Sequence, residues 1–225
     1  DDLSHEYARY NPHVSIQVIP ADSSRALDLA AAGQVDLVIV AAYDDADRHV
    51  AEPSLSFRRL ARDGLAIAVH SSLSLEDLTR QELETLYAGY YDDWSDLGAG
   101  QGMPEFIVRE EGTVARGVFD RQIMKEQAVS SAALVMAHDQ AIVEYVAEHP
   151  LVIGYVSAAY KGLDERVNWI SVDHLLPTRS QLEKGRYPLS YSLFVALSPT
   201  ASGEATRLYA FALGRRGRQV IGERY

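Results

Sequence analysis

An α/β fold is what the sequence predicts, on three observations. Strand-like and helix-like segments alternate along the chain, which favours parallel strands joined by helices over segregated sheets. The run VDLVIVAA, Val35 to Ala42, is almost wholly apolar, as a buried strand would be. Thr79, Arg80, Gln81 and Glu82 form a capping-box pattern, which fixes a helix start.

Taken in order, HVSIQVI (His13 to Ile19) alternates polar and apolar residues at period two after the Asn11, Pro12 break and is expected to be a strand. Asp22, Ser23 and Ser24 can cap a helix running to Ala32 and stopped by Gly33. With Val35 to Ala42 these segments make a βαβ unit. Leu65 to Val69 is a further apolar strand, entered through Asp63 and Gly64. The capped helix then presents Leu83, Leu86 and Tyr87 on one face and ends at Gly89, and Trp94 follows in an acidic turn. Phe106 to Val108 is a short strand feeding a helix that carries Val118, Phe119 and Ile123. A helix near Gln140 to Glu148 precedes the strand VIGYV, Val152 to Val156, which gives a second α/β unit. Near the C-terminus Leu193 to Leu197 is strand-like, and Glu204 to Leu213 is a helix with Leu208, Phe211 and Ala212 inward.

At 225 residues the chain has room for one large domain or two modest lobes, each with a core. Apolar residues at 47% and charged residues at 24% exclude a disordered chain, and no stretch approaches the roughly 20 apolar residues that a membrane span needs. A formal net charge of −11 argues against nucleic acid and anionic membranes as partners, because phosphate backbones are held by clustered Lys and Arg. The absence of cysteine excludes disulfides and thiolate metal sites. The chain begins at Asp1 with no Met and no leader, so a processed or trimmed start is expected.

Chemistry concentrates in REEGTVARGVF, Arg109 to Phe119, where a strand leads into a helix and brings two arginines and a hydroxyl to the junction. Unpaired amides at a helix start carry partial positive charge, so Thr113 and its neighbours could hold an oxyanion while Arg109 clamps it with a planar fork. The acidity of the chain repels anions at long range, so such a site must work through short hydrogen bonds. There is no nucleophile elbow, no phosphate loop ending in Lys and no dinucleotide fingerprint, which leaves an enzyme as the poorest hypothesis. His138 with Asp139, and His149 or His174 alone, lack the spacing of zinc sites, so neither a metal nor a cofactor is expected.

Several segments together resemble the phosphate-binding proteins of ATP-driven phosphate importers, members of the type II periplasmic binding proteins. They are ARDGLAIAVH (Ala61 to His70), LTRQELETLYAGYYDDWSDLG (Leu78 to Gly98), REEGTVARGVF, HPLVIGYVSAAY (His149 to Tyr160), LLPTRSQLEKGRYPLSYSLFVAL (Leu175 to Leu197) and FALGRRGRQVIGERY at the end. The resemblance implies two α/β lobes joined by two extended crossovers, near Val69 to Ser72 and Tyr187 to Tyr191, with ligand held in a cleft between them. Lobe one would be discontinuous, residues 1–69 plus 190–225, and lobe two would be 70–189. Closure would be a hinge motion driven by contacts from both lobes. The implied protein is extracytoplasmic, periplasmic or extracellular, takes phosphate or a related tetrahedral oxyanion, and hands it to an ABC permease. Any membrane attachment would run through chain ahead of Asp1.

Carried over residue by residue, Ser23 falls on the family's serine at a helix start, with Ser24 beside it. Asp63 falls on the aspartate that accepts a hydrogen bond from a protonated phosphate oxygen. The logic is selectivity: hydrogenphosphate has a proton to give, whereas sulfate would leave two facing acceptors desolvated. Arg109 matches the family's arginine, and Glu111 occupies an acidic position that can brace it. Thr113, Val114 and Ala115 stand where the family has Ser-Gly-Thr, so one hydroxyl is kept and one is lost. A lost hydrogen bond to a charged ligand costs about 1.5 to 3 kcal/mol, roughly ten to a hundredfold in affinity. Asp22 adds a negative charge beside Ser23. The family also opens with a strand that this chain does not show, and its absence would leave an open sheet edge.

Other readings stand beside these. Arg109, Glu110 and Glu111 could form a solvated ion-pair cluster, Ser23 and Thr113 are ordinary helix caps, and Asp63 before Gly64 could shape a turn. Arg116 reads as a surface or inter-lobe salt-bridge residue. At the level of function, a sensory or scaffold module of the same fold, with reduced or redirected binding, is the alternative to a transport protein.

Overall fold

The computed structural model describes residues 2–21, 23–42 and 54–222, and these divide into two compact units. Unit 1 is Asp1–Arg62 with Tyr191–Tyr225, and unit 2 is Asp63–Ser190.

Unit 1 is built on two neighbouring antiparallel strands, β1 (Leu37–Ala42) and β8 (Ser190–Leu197), in register from Leu37 opposite Leu197 to Ala42 opposite Ser192. The first part of β2 (Phe57–His70) lies on the other side of β8. Helix α2 (Ser23–Ala31) packs Leu27 and Ala30 onto Val38, Val40, Phe57 and Phe194, the core of this unit. It stops where Gly33 takes φ 69°, a left-handed turn that glycine adopts without strain. A second helical layer joins α1 (Asp2–Tyr10) to α7 (Gly203–Leu213) and α8 (Arg215–Gly222). Tyr7 is its pivot: the ring meets Phe211 edge-on at 5.3 Å, and the hydroxyl donates to Glu204 at 2.6 Å.

Two expectations fail here. His13 to Ile19 forms no strand, so the anticipated βαβ unit has only its second strand, and that strand pairs antiparallel with β8. The alternation supplies a face but no partner: Val18 and Ile19 remain 52% and 54% exposed. The cap expected from Asp22 lies outside the described residues.

Unit 2 holds a mixed sheet, where the alternation of segments predicts parallel strands: only part of it is parallel. The second part of β2 runs between β6 (Val152–Ser157) and β7 (Val167–Val172), antiparallel to both. Its residues Leu65 to Val69 are fully buried, as a run apolar on both faces requires. Beyond β6 lie β4 (Glu105–Arg109) and β5 (Leu134–Met136), parallel to it and to each other, while β3 (Asp77–Leu78) pairs parallel with β7. Helix α5 (Asp139–Glu148) covers β6 closely because Gly154 has no side chain: a Cβ there would stand 2.8 Å from Ile142.

Helix α3 (Arg80–Tyr87) carries the expected capping box, with the Thr79 hydroxyl accepting from the Glu82 amide and the Glu82 carboxylate accepting from the Thr79 amide. Asp93 caps the turn that buries Trp94, whose indole donates to the Leu151 carbonyl at 3.0 Å. The helix expected around Val118 and Ile123 is split into α4 (Val114–Phe119) and a π-turn, Asp120–Met124. A short helix α6 (Arg179–Glu183) completes the unit. No described helix is long and apolar enough to cross a membrane.

Candidate functional site

Sheet topology explains why polar side chains collect at one end of unit 2. In parallel sheets the loops after the strand carboxyl ends gather together, and ligands bind there. β4 ends at Arg109, which pairs with Met136 of β5, and three residues beyond Met136 stands Asp139, the first residue of α5. β6, parallel to β4, ends at Ser157. β2 runs the other way, with Leu65 opposite Ser157, so Asp63 enters at this same end. Four strands thus deliver Arg109, Asp139, Ser157 and Asp63 to one edge.

These four side chains form a continuous hydrogen-bonded chain. The Arg109 Nη1 donates to Asp139 Oδ1, and Nη2 donates to the Ala137 carbonyl at 2.6 Å. The Ser157 amide donates to the same Asp139 oxygen at 3.3 Å, and the Ser157 hydroxyl donates to Asp63 Oδ2 at 2.7 Å. Asp63 Oδ1 accepts from the Gly64 amide at 2.6 Å. Asp63 is 3% exposed, and the Arg109 side chain 12%. A buried carboxyl needs hydrogen-bond partners, and both its oxygens have one. The guanidinium is less fully engaged: its Nε is buried and has no partner among the described residues.

Around this chain the structure holds Arg109 from behind. Its amide donates to the Tyr155 hydroxyl at 3.1 Å, and its carbonyl accepts from Arg116 Nη1 at 3.3 Å. Tyr155 stacks on Phe119 with ring centres 4.3 Å apart, and burial drives its phenol far above the usual range, so it stays neutral and can accept. Burial works against the charge of Arg116, but Asp120, bonded to its Nε at 2.8 and 2.9 Å, outweighs this and holds its pKa above the ordinary arginine value. Arg116 is therefore an internal brace whose side chain is 14% exposed, not a surface residue.

Of the residues singled out in the sequence, Asp63 and Arg109 come together in this network. Glu111 does not brace Arg109: it is exposed and acts on Arg116 at longer range, while the partner of Arg109 is Asp139 from α5. A carboxylate two residues along the chain is carried onto the turn, whereas the start of α5 is delivered by the parallel pairing of β4 and β5. Thr113 is a helix cap: its hydroxyl donates to the Glu110 carbonyl at 2.8 Å and accepts from the Arg116 amide at 3.2 Å. Its proton is committed within the turn, and the helix it opens has only six residues. Ser23 and Ser24 begin α2 in unit 1, Ser23 half-buried and Ser24 exposed.

Asp139, Ser157 and Tyr155 were not reached by the sequence reading as site residues. The signal that could have found them is the strand-end rule, applied to the serine closing VIGYVS and to the acid opening the next helix. Among the described residues no group of three or more His, Asp or Glu side chains could hold a metal ion.

Residues 1–215 match the family model described as the PBP superfamily domain. The phosphate-binding protein PstS of Bacillus subtilis (strain 168) is 22% identical over 184 residues, which cover 82% of this chain and 61% of that protein. The chain therefore spans about three fifths of the length of that relative. Among solved structures, a protein from Clostridium perfringens assigned as a phosphate ABC transporter substrate-binding protein, with bound phosphate, superposes with a TM-score of 0.86 at 20% identity. The superposition covers 99% of this chain and 90% of that one. An ABC-type phosphate transport receptor from Vibrio cholerae superposes with a TM-score of 0.78 at 24% identity, over 99% and 91%. At these identities the superpositions establish the fold, and the family match establishes descent: the chain belongs to the PBP superfamily.

Proposed function

We propose that this chain is the ligand-binding part of an extracytoplasmic solute-binding protein that captures inorganic phosphate and presents it to an ABC permease. The observation that carries this reading is the half-buried Arg109 guanidinium, whose buried Nε has no partner among the described residues, tied through three hydrogen bonds to the buried Asp63 carboxylate. A guanidinium supplies planar donors to a phosphate oxygen pair, and a carboxylate beside it accepts from the ligand's own proton. One cation and one acceptor in a single network is the chemistry that hydrogenphosphate needs and sulfate lacks. The names of the relatives and structural neighbours support the same ligand class.

In this reading Ser23 and Ser24 of lobe one, 1–69 plus 190–225, and Arg109 of lobe two, 70–189, supply donors to the ligand. Thr113 contributes only if its hydroxyl releases the Glu110 carbonyl. Nothing in the reading calls for catalysis, since binding and release complete the task.

Isothermal titration with phosphate, sulfate, molybdate and tungstate tests it. Heat is expected with phosphate, and sulfate is expected to bind at least tenfold more weakly, a difference of about 1.4 kcal/mol. Asp63→Asn is expected to narrow that gap, because an amide can donate to an oxygen that carries no proton. Absence of heat with every anion overturns the reading.

A further inference from the structure

We propose that Asp139 is the positioning residue of this anion site: it fixes the Arg109 guanidinium and, through Ser157, keeps it in register with Asp63. The inference rests on the phosphate reading above.

The argument begins with the donors of Arg109. A guanidinium has five N–H groups in a rigid plane, so fixing two of them fixes the direction of the rest. Asp139 takes one on Nη1 and the Ala137 carbonyl takes one on Nη2. One acceptor comes from the turn after β5 and the other from the first residue of α5, and together they fix the plane of the fork. What they leave over is the buried Nε, which has no partner among the described residues, and one proton on each Nη nitrogen. Without Asp139 the fork could swing on its long stem, and an edge that must meet two ligand oxygens would lose its aim.

The second arm runs through Ser157. Its amide binds Asp139, and its hydroxyl accepts from the Ala159 amide at 3.2 Å and donates to Asp63 at 2.7 Å. In that last bond the Ser157 hydroxyl is the donor and the Asp63 oxygen the acceptor. Ser157 therefore sets the rotation of the Asp63 carboxylate, while Asp139 sets the plane of the Arg109 fork. The acid that positions the donor and the hydroxyl that positions the acceptor are joined by one amide. These residues act through Arg109 and Asp63 and need not touch the ligand.

The two arms separate experimentally. Equilibrium dialysis with radiolabelled phosphate, with sulfate as competitor, would be run on the unmodified chain, Asp139→Ala, Asp139→Asn and Ser157→Ala. Thermal unfolding would be followed alongside, because lost stability alone lowers the melting temperature without moving the Kd of the folded protein. Asp139→Ala is expected to weaken phosphate and sulfate by the same factor, about tenfold or more, since misaiming a clamp costs every anion alike. Asp139→Asn keeps an acceptor oxygen and is expected to restore affinity to within about threefold, and it keeps the test open should the alanine variant fail to fold. Ser157→Ala is expected to lower the preference for phosphate over sulfate while Asp139→Ala leaves that preference unchanged. Phosphate binding by the unmodified chain with an equal Kd in Asp139→Ala overturns this inference alone. So does an asparagine variant as weak as the alanine one. No phosphate binding by the unmodified chain overturns the phosphate reading and this inference with it.

Discussion

Unit 2 and unit 1 start from similar sequence patterns and end in different polar architectures. In unit 2 the apolar runs find neighbours on both sides, and the carboxyl ends of β4, β5 and β6 bring charged residues from distant parts of the chain onto one edge. In unit 1 the described strands β1 and β8 are antiparallel, so their ends alternate in direction and gather no such cluster. Its polar network instead ties helices together: Tyr7 to Glu204, and Arg216 to Glu6 at 3.0 Å and over the Tyr10 ring at 4.3 Å. The difference teaches that strand direction, more than residue content, decides where chemistry can be assembled.

The largest expected effect tests whether unit 2 dominates binding. Arg109→Ala is expected to raise the phosphate Kd more than a hundredfold, over about 2.7 kcal/mol, because it removes the charge and the directional donors together. Ser23→Ala in unit 1 removes one hydroxyl and is expected to cost about tenfold. Equilibrium dialysis on both variants checks the ranking, and equal losses would break the comparison. Arg116→Ala, which releases the Arg109 carbonyl and Asp120 but leaves the Arg109 guanidinium its acceptors, is expected to fall below either.

A stability test follows from packing. In unit 2, α5 lies against β6 so closely that Gly154→Val forces a methyl group against Ile142, which already stands 2.8 Å from the Cβ position. Overpacking of this kind costs about 1 to 3 kcal/mol, read as a shift of the urea midpoint at unchanged slope. A neutral result would show that the helix can move away from the sheet.

How much of this was legible in the sequence depends on whether a signal is local. The Thr79 capping box, the strand Leu65 to Val69 and the helix ending at Gly33 were read correctly because each is written within a few residues. His13 to Ile19 was misread because a period-two pattern states which side chains share a face and is silent on whether another backbone lies alongside. The same limit governs the site. Arg109 and Asp63 were found from the resemblance, but the acid that meets Arg109 comes from 30 residues away through strand pairing, and Glu111 was preferred for its proximity in sequence. Short strands such as β3 and β5, with two and three residues, carry too few positions to show any period.

Acid should separate the two kinds of network. Hydrogen bonds from Arg207 and then from Tyr7 hold Glu204 down to about 2 from an ordinary 4.5. Because its folded value is lowered, the stability it contributes is complete above pH 4.5 and is lost as pH falls through about 2. Asp164 in unit 2 is likewise held near 2 by Arg166, but that pair spans two residues, whereas Tyr7 and Glu204 are 197 apart. Loss of the first loosens one turn, and loss of the second loosens α1 from α7. Urea unfolding between pH 5 and 2 is expected to show a flatter pH dependence in Glu204→Gln than in the unmodified chain, and a smaller flattening in Asp164→Asn, because a pair two residues apart persists in part in the unfolded chain.

The smallest expected effect bears on the segment that failed to become a strand. Val18 and Ile19 are about half exposed, so replacing each with serine removes little buried surface, and such surface changes fall within about 0.5 kcal/mol. The matching change in unit 2, Val69→Ser, falls on a fully buried strand residue and is expected to cost several-fold more, because it strands a hydroxyl between β6 and β7. Urea midpoints for the three variants check the contrast. A loss near 1.5 kcal/mol at Val18 or Ile19 would show that the alternating run buries its apolar face in solution, and that the pattern in the sequence was a strand's after all.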